Sequence, residues 1–198
     1  MNINQFNELK KRKGSLDIGL DLDGVSVDYV AGLKKFAEDE FGKKMAEHLP
    51  NTYSMVEEGY FNSVGEFLHI HKSFVKSGGL ATVKLLEDNI SHLIKDLQDA
   101  GHKVHAITAR SMDGLCNNQI LDDTIKNMEL HDIDLDSLTI THDKHEANCD
   151  IYIEDSPKNH TMLTQHGYLC VIRHQPYNAN VDGVRVNRFS EFADMILS

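Results

Sequence analysis

Nowhere does the sequence hold a run of about 18 apolar residues, the minimum for a membrane-spanning helix. The first residues, "MNINQFNELKKRKG", lack the apolar stretch of a secretory leader, so a cytoplasmic protein is expected. Basic charge is scarce: 20 Lys and Arg against 31 Asp and Glu give a net charge of −11. That balance argues against nucleic-acid polymers and anionic membranes as main partners. Cysteine is rare as well. Cys116, Cys149 and Cys170, odd in number and widely spaced, form no CxxC pair, which fits a reduced intracellular compartment better than a disulfide framework and argues against a structural zinc site. The 12 histidines form no H-E-x-x-H motif, and neither an internal repeat nor a low-complexity segment occurs. The assembly state stays open between monomer and homodimer.

What remains is globular: 198 residues, 40% hydrophobic and 26% charged, enough for one domain with an insertion. Residues 16–22, "LDIGLDL", read as a strand that ends in Asp-Gly. A helical stripe follows to about Phe41, and a second helix, "VGEFLHIHKSFVKSG", stops at Gly78-Gly79. Leu86 to Leu97 form a third helical face, closed by Gly101. From there strands and helices alternate: "KVHAIT", a helix over 117–130, "LTI" as a short buried strand, a short helical piece near 143–148, "IYIE", a helix capped by Ser156 with Pro157 first, "LCVI", and a closing helix. This pattern predicts an α/β fold, a Rossmann-like parallel sheet with helices on both faces. More than eighty residues separate Asp23 from Thr108, too many for one crossover helix. A small helical cap over residues 28–79 is therefore expected, inserted after the first motif, with the core formed by 1–27 and 80–198.

Ligands of open α/β sheets bind at the carboxyl ends of the strands. The predicted strand ends carry Asp21 and Asp23, Thr108 followed by Ala109 and Arg110, Lys144, and Glu154 with Asp155. That set suits phosphoryl transfer. One aspartate can attack phosphorus, and a second carboxyl can protonate the leaving alkoxide and then activate water. A hydroxyl and a lysine can hold phosphate oxygens. Like charges about 4 Å apart repel by roughly 4 kcal/mol at an effective dielectric near 20. So many acids receiving a phosphate dianion need a hard divalent cation, and Mg²⁺ is the expected cofactor.

"DLDGV" at 21–25, "ITAR" at 107–110, Lys144 and "IYIEDSP" at 151–157 resemble, in order, the four motifs of the haloacid dehalogenase superfamily phosphatases. The resemblance implies Asp21 as nucleophile and Asp23 as general acid/base. It implies a metal held by Asp21, the Asp23 carbonyl and Asp155, with Glu154 or Asp150 as outer acids. Thr108 and Lys144 would bind phosphate, with Ala109 and Arg110 beside them. "DLDGVSVDY" with Asp28, and "RHQPYNAN" at 173–180, are similar to the 5′(3′)-deoxyribonucleotidases and their bacterial or phage relatives. The mammalian-type enzymes have two aspartates at Glu154-Asp155 and a serine at Ala109, and this chain has no Trp for a base-stacking wall. The resemblance thus implies a small phosphomonoester substrate, a nucleoside or deoxynucleoside 5′-monophosphate. A sugar-phosphate phosphatase or phosphomutase would use the same acids. A receiver-like signalling module is the non-enzymatic alternative, although such modules are shorter and lack a cap. Retained Asp23 argues against an ATPase or a dehalogenase.

Other residues carry blander readings. His69 and His71 are expected on a polar helix face, and Tyr60, Phe61, Phe67 and Phe74 in the interior of the cap. His142 and His145 flank Lys144, and Arg110 is divided between substrate contact and a surface salt bridge.

Overall fold

The computed structural model describes residues 3–110, 115 and 117–198; Cys116 lies outside the described residues. Helix α1 (Ile3–Lys13) leads into β1 (Asp17–Leu20), followed by α2 (Tyr29–Phe41), α3 (Val64–Lys76), α4 (Ile90–Asp99), β2 (Lys103–Thr108) and α5 (Asn117–Leu130). Then come β3 (Ser137–Ile140), β4 (Ile151–Glu154), α6 (Pro157–Gln165), β5 (Leu169–Arg173), β6 (Arg185–Val186) and α7 (Phe189–Leu197). Short 3-10 turns lie at Gly79–Thr82, Lys144–Ala147 and Pro176–Asn178.

The six strands form one sheet in the order β3-β2-β1-β4-β5-β6. Every pairing is parallel. β1 sits where the order reverses, with β2 on one side and β4 on the other, and such a switch point opens a crevice at the strands' carboxyl ends. The centre is dry: Ile18, Leu20 and Ile151 are fully buried, and every residue of β4 is buried, as expected of a parallel strand covered on both faces. β3 corrects its sequence reading. It is the edge strand and alternates between exposed and half-buried residues, because only one neighbour covers it.

Local chemistry explains several boundaries. Ser156 accepts a hydrogen bond from the Asn159 amide and Pro157 opens α6. Asp28 caps α2 through the Ala31 amide, and Gly42 ends that helix in the left-handed region at φ 62°. α4 begins at Ile90, four residues after the start of the apolar stripe, behind Asn89. α1 has no counterpart in the sequence reading; Phe6 anchors it in the core. Between β1 and β2, α2 and α3 pack on each other and on the 79–82 turn. Tyr60, Phe61 and Phe74 lie inside that region, as expected. His71 does not lie on a polar face: it is buried and shares a hydrogen bond of 2.5 Å with the Tyr29 hydroxyl. His69 is exposed, against the edge of Phe41.

Candidate active site

The parallel register sets Leu20 beside Ile153 and pairs β1 with β2 on its other flank. The residues just past these strand ends must then meet: Asp21 emerges next to Glu154 and Asp155, and Thr108 ends the strand on the far side. Tyr152 helps to fix the next member. Its ring lies against Gly19, where a Cβ would overlap it. Its hydroxyl accepts from the Cys149 amide and donates to the Lys144 carbonyl at 3.2 Å.

Asp21 and Asp23, one residue apart, each have a cation of their own. Lys144 Nζ lies 2.7 Å from Asp21 Oδ1 and 2.6 Å from Glu154 Oε2. Arg110 grips Asp23 with two N–H groups, at 2.9 and 2.7 Å, and donates a third to Thr124 Oγ1 at 3.0 Å. Lys144, expected to hold phosphate, binds two carboxylates and also lines the cavity, which leaves the third N–H of its ammonium for a phosphate oxygen. Arg110 is neither a surface residue nor a free substrate contact; it is buried and bound to Asp23. Burial works against its charge, but Asp23, with Asp21 and Tyr29 adding to it, turns the balance and raises its pKa.

The electrostatics of the floor are unbalanced. Burial, and then Glu154, push Asp21 well above the usual carboxylate range, with Lys144 pulling the other way. Burial and Glu154 push Asp155 up to about 8. Burial also acts to raise Glu154, but Lys144 and hydrogen bonds from Asp21 and the Ser156 amide together hold that acid down. For Lys144, burial is overcome by Asp21 and Glu154, which drive its pKa upward. Three buried acids facing one ammonium therefore repel. Oxygens of Asp21, Glu154 and Asp155 lie within 4.8 Å of one another, a donor set that fits a hard divalent cation. Glu154 lies in this group with both of its oxygens already bound, one by Lys144 and the other by the Ser156 amide and Asn159. Asp150 does not: it precedes β4, accepts from the Asp17 amide and pairs with Lys13 at the opposite end of the strand. Gly24 makes room for the arrangement, since at φ 81° a Cβ there would collide with Asp155 Oδ2.

A cavity of about 450 Å³ opens over this floor, and Asp21, Asp23, Thr108, Ala109, Lys144 and Asp155 all line it. That volume lies in the range of small-molecule sites, about 300–1,000 Å³. The opposite wall is apolar and comes from the segment between β1 and β2: Val30, Pro50, Met55, Val56, Val64 and Phe67. Tyr29, Tyr53 and Tyr177 complete it, together with Asn159, which donates to Glu154 at 3.2 Å. His142 and His145 do not belong to this lining; His145 stacks on His166 instead. The tyrosines and Asn159 escape the sequence reading, although Tyr29 closes "DLDGVSVDY" and Tyr177 sits in "RHQPYNAN".

Among solved structures, a phosphonoacetaldehyde hydrolase-like protein from Oleispira antarctica is similar, with a TM-score of 0.58 and 10% identity over 93% of this chain and 92% of that one. So is a β-phosphoglucomutase from Clostridium difficile, with a TM-score of 0.50 and 14% identity over 92% and 97% of the two chains. At such identities they speak for the fold alone. A curated protein of Chlorobaculum tepidum, described as "Putative 5'(3')-deoxyribonucleotidase", is 25% identical over 185 residues, 93% of this chain and 91% of its own. The model of the family "5' nucleotidase, deoxy (Pyrimidine), cytosolic type C protein" matches residues 15–198, which takes in every residue of the cavity. With a haloacid dehalogenase-like fold and a match of that extent, the chain belongs to this family of nucleotidase hydrolases.

Proposed function

We propose that this chain is a Mg²⁺-dependent phosphomonoesterase acting on nucleoside 5′-monophosphates, deoxyribonucleotides among them, through an aspartyl-phosphate. The observation that carries this reading is the two-sided cavity. It has a floor of acids with one lysine, suited to a phosphate and a cation, and a wall of apolar and aromatic side chains suited to a nucleoside. The family and the curated relative support the substrate class. An apolar wall speaks less for a sugar phosphate, whose hydroxyls would meet few partners there.

In this reading Asp21 is the nucleophile. Lys144 on Oδ1 fixes the plane of its carboxylate, and Tyr152 fixes the backbone of the lysine. Asp21 and Asp155, with Glu154 beside them, would hold the cation, which neutralises phosphate charge when bound. Thr108 lies on the floor, where its hydroxyl can donate to a phosphate oxygen. Asp23 protonates the leaving 5′-oxygen and then takes a proton from the attacking water. Residues 28–79 act as the cap, excluding water and choosing the leaving group.

The test is phosphate release from nucleoside monophosphates and sugar phosphates, with Mg²⁺ and with EDTA. Metal-dependent turnover led by nucleotides is expected. Release from sugar phosphates alone would keep the chemistry and discard the substrate class.

Arg110 gives a second prediction. Because it holds both oxygens of Asp23, Arg110→Gln is expected to misplace the acid and slow nucleotide turnover by roughly 10²-fold. p-Nitrophenyl phosphate, whose leaving group needs no proton, should lose less than about ten-fold. Equal losses on the two substrates would place the effect of Arg110 at the water-attack step they share and not at protonation of the leaving group.

A further inference from the structure

The turn after β5 reaches both acidic loops of the floor. Gln175 Nε2 donates to the Gly24 carbonyl at 2.8 Å, and Asn178 Nδ2 donates to the Asp155 carbonyl at 2.8 Å. The turn is closed on itself by the Gln175 amide on Asn178 Oδ1 at 3.1 Å, and Arg185 holds the same asparagine oxygen at 2.6 Å. Between these anchors stands Tyr177. Its hydroxyl donates to Asp155 Oδ2, in the space that Gly24 leaves free of a side chain. Its ring meets that of Tyr53 edge to face, with centroids 5.5 Å apart at 76°. Tyr53 comes from the segment between β1 and β2; the residue is 58% exposed, while its hydroxyl shares a hydrogen bond with Ser156 at the rim of the cavity. One side chain therefore touches a carboxylate of the acidic floor at one end and the opposite wall at the other.

We propose that Tyr177 is a positioning residue that couples divalent-cation binding at Asp155 to the seating of Tyr53 over the cavity. The inference rests on the metal-dependent reading above and adds to it a route by which the cation is felt across the cavity. A hydroxyl on Oδ2 fixes the rotation of the Asp155 carboxylate and leaves its other oxygen for the cation. Hydrogen bonds of this outer kind typically contribute 10- to 100-fold to metal affinity. Coupling between two sites is reciprocal, so a change at Tyr53 must also be felt by the cation.

The chain contains no Trp, so Tyr53→Trp supplies a single fluorescent reporter. Mn²⁺ binding is measured first by titration calorimetry on the wild-type chain and on Tyr177→Phe, which keeps the ring and removes only the hydroxyl. About ten-fold weaker binding by the Phe variant is expected. In the Tyr53→Trp background, Mn²⁺ should shift the indole emission when residue 177 is Tyr and leave it unshifted, at saturating metal, when it is Phe. Tyr53→Leu, at an exposed position, reads the coupling from the other end and should weaken Mn²⁺ binding about two- to three-fold. It serves also if the Phe variant fails to fold. Wild-type affinity in Tyr177→Phe would overturn the positioning role. An emission shift that survives in the Phe background, or unchanged affinity in Tyr53→Leu, would overturn the coupling. No Mn²⁺ binding by the wild-type chain would overturn the metal reading itself, a failure distinct from either.

Discussion

Asp21→Asn is expected to reduce phosphate release by at least about 10⁴-fold while leaving the fold intact. The amide matches the carboxylate in shape but cannot attack phosphorus. The fold should tolerate the change because Asp21 is one of three buried acids grouped around a single ammonium. Burial and the Glu154 charge already work against ionisation of Asp21, so a neutral group there removes repulsion. Thermal unfolding of the metal-free variant should therefore occur at the wild-type temperature or slightly above it. Divalent-cation binding should weaken, since one of the three donors becomes a neutral amide oxygen. An active, cleanly purified Asp21→Asn protein would eliminate the nucleophile assignment. A variant that is inactive only because it is unfolded would show that Asp21 holds the strand ends together.

The contrast between Asp21 and Arg110 shows what a sequence discloses and what it withholds. Strand ends are local features. "KVHAIT" and the helix over 117–130 appear in the structure with the predicted bounds, because apolar pattern and flanking breakers set them over a few residues. A parallel sheet then brings those ends to one edge, so the placement of Asp21, Thr108, Lys144 and Asp155 around a common cavity is legible. Partnerships are not. Arg110 and Asp23 lie 87 positions apart, and no spacing rule connects them. Tyr177 reaches Asp155 across a turn whose proline speaks only for a bend. β3 reads as buried because a triplet of β-prone residues, Leu138, Thr139 and Ile140, looks the same at the edge of a sheet as at its centre. α1 goes unread because its surface is polar on most sides and only Phe6 among its described side chains is fully buried. His71 misleads because a tyrosine 42 positions away supplies its partner.

Lys144 carries the other large effect, and here stability and activity should move together. The side chain is 1% exposed and its ammonium lies between Asp21 and Glu154, at 2.7 and 2.6 Å. Lys144→Met keeps the length of the side chain and removes its charge, which leaves two buried carboxylates without a counter-ion. Breaking a buried pair in this way costs about 3–5 kcal/mol. For a chain of this size the unfolding temperature should fall on the order of 10 °C. Adding Glu154→Gln removes one of the stranded charges, so the double variant should unfold closer to the wild type than the single one does. Mg²⁺ should raise the unfolding temperature of Lys144→Met more than that of the wild type, because the cation then supplies the missing positive charge. Turnover should not return with it. Loss of one fixed donor at a developing charge costs roughly 10²- to 10³-fold, and an ion bound beside Asp155 does not hold Asp21 Oδ1 in place. Thermal scans of the wild type and the single and double variants, with Mg²⁺ and with EDTA, decide the matter alongside phosphate release. A single variant that unfolds within about 2 °C of the wild type without metal would mean that the acids take up a proton when the lysine is gone, and that Lys144 does not carry the stability of the floor.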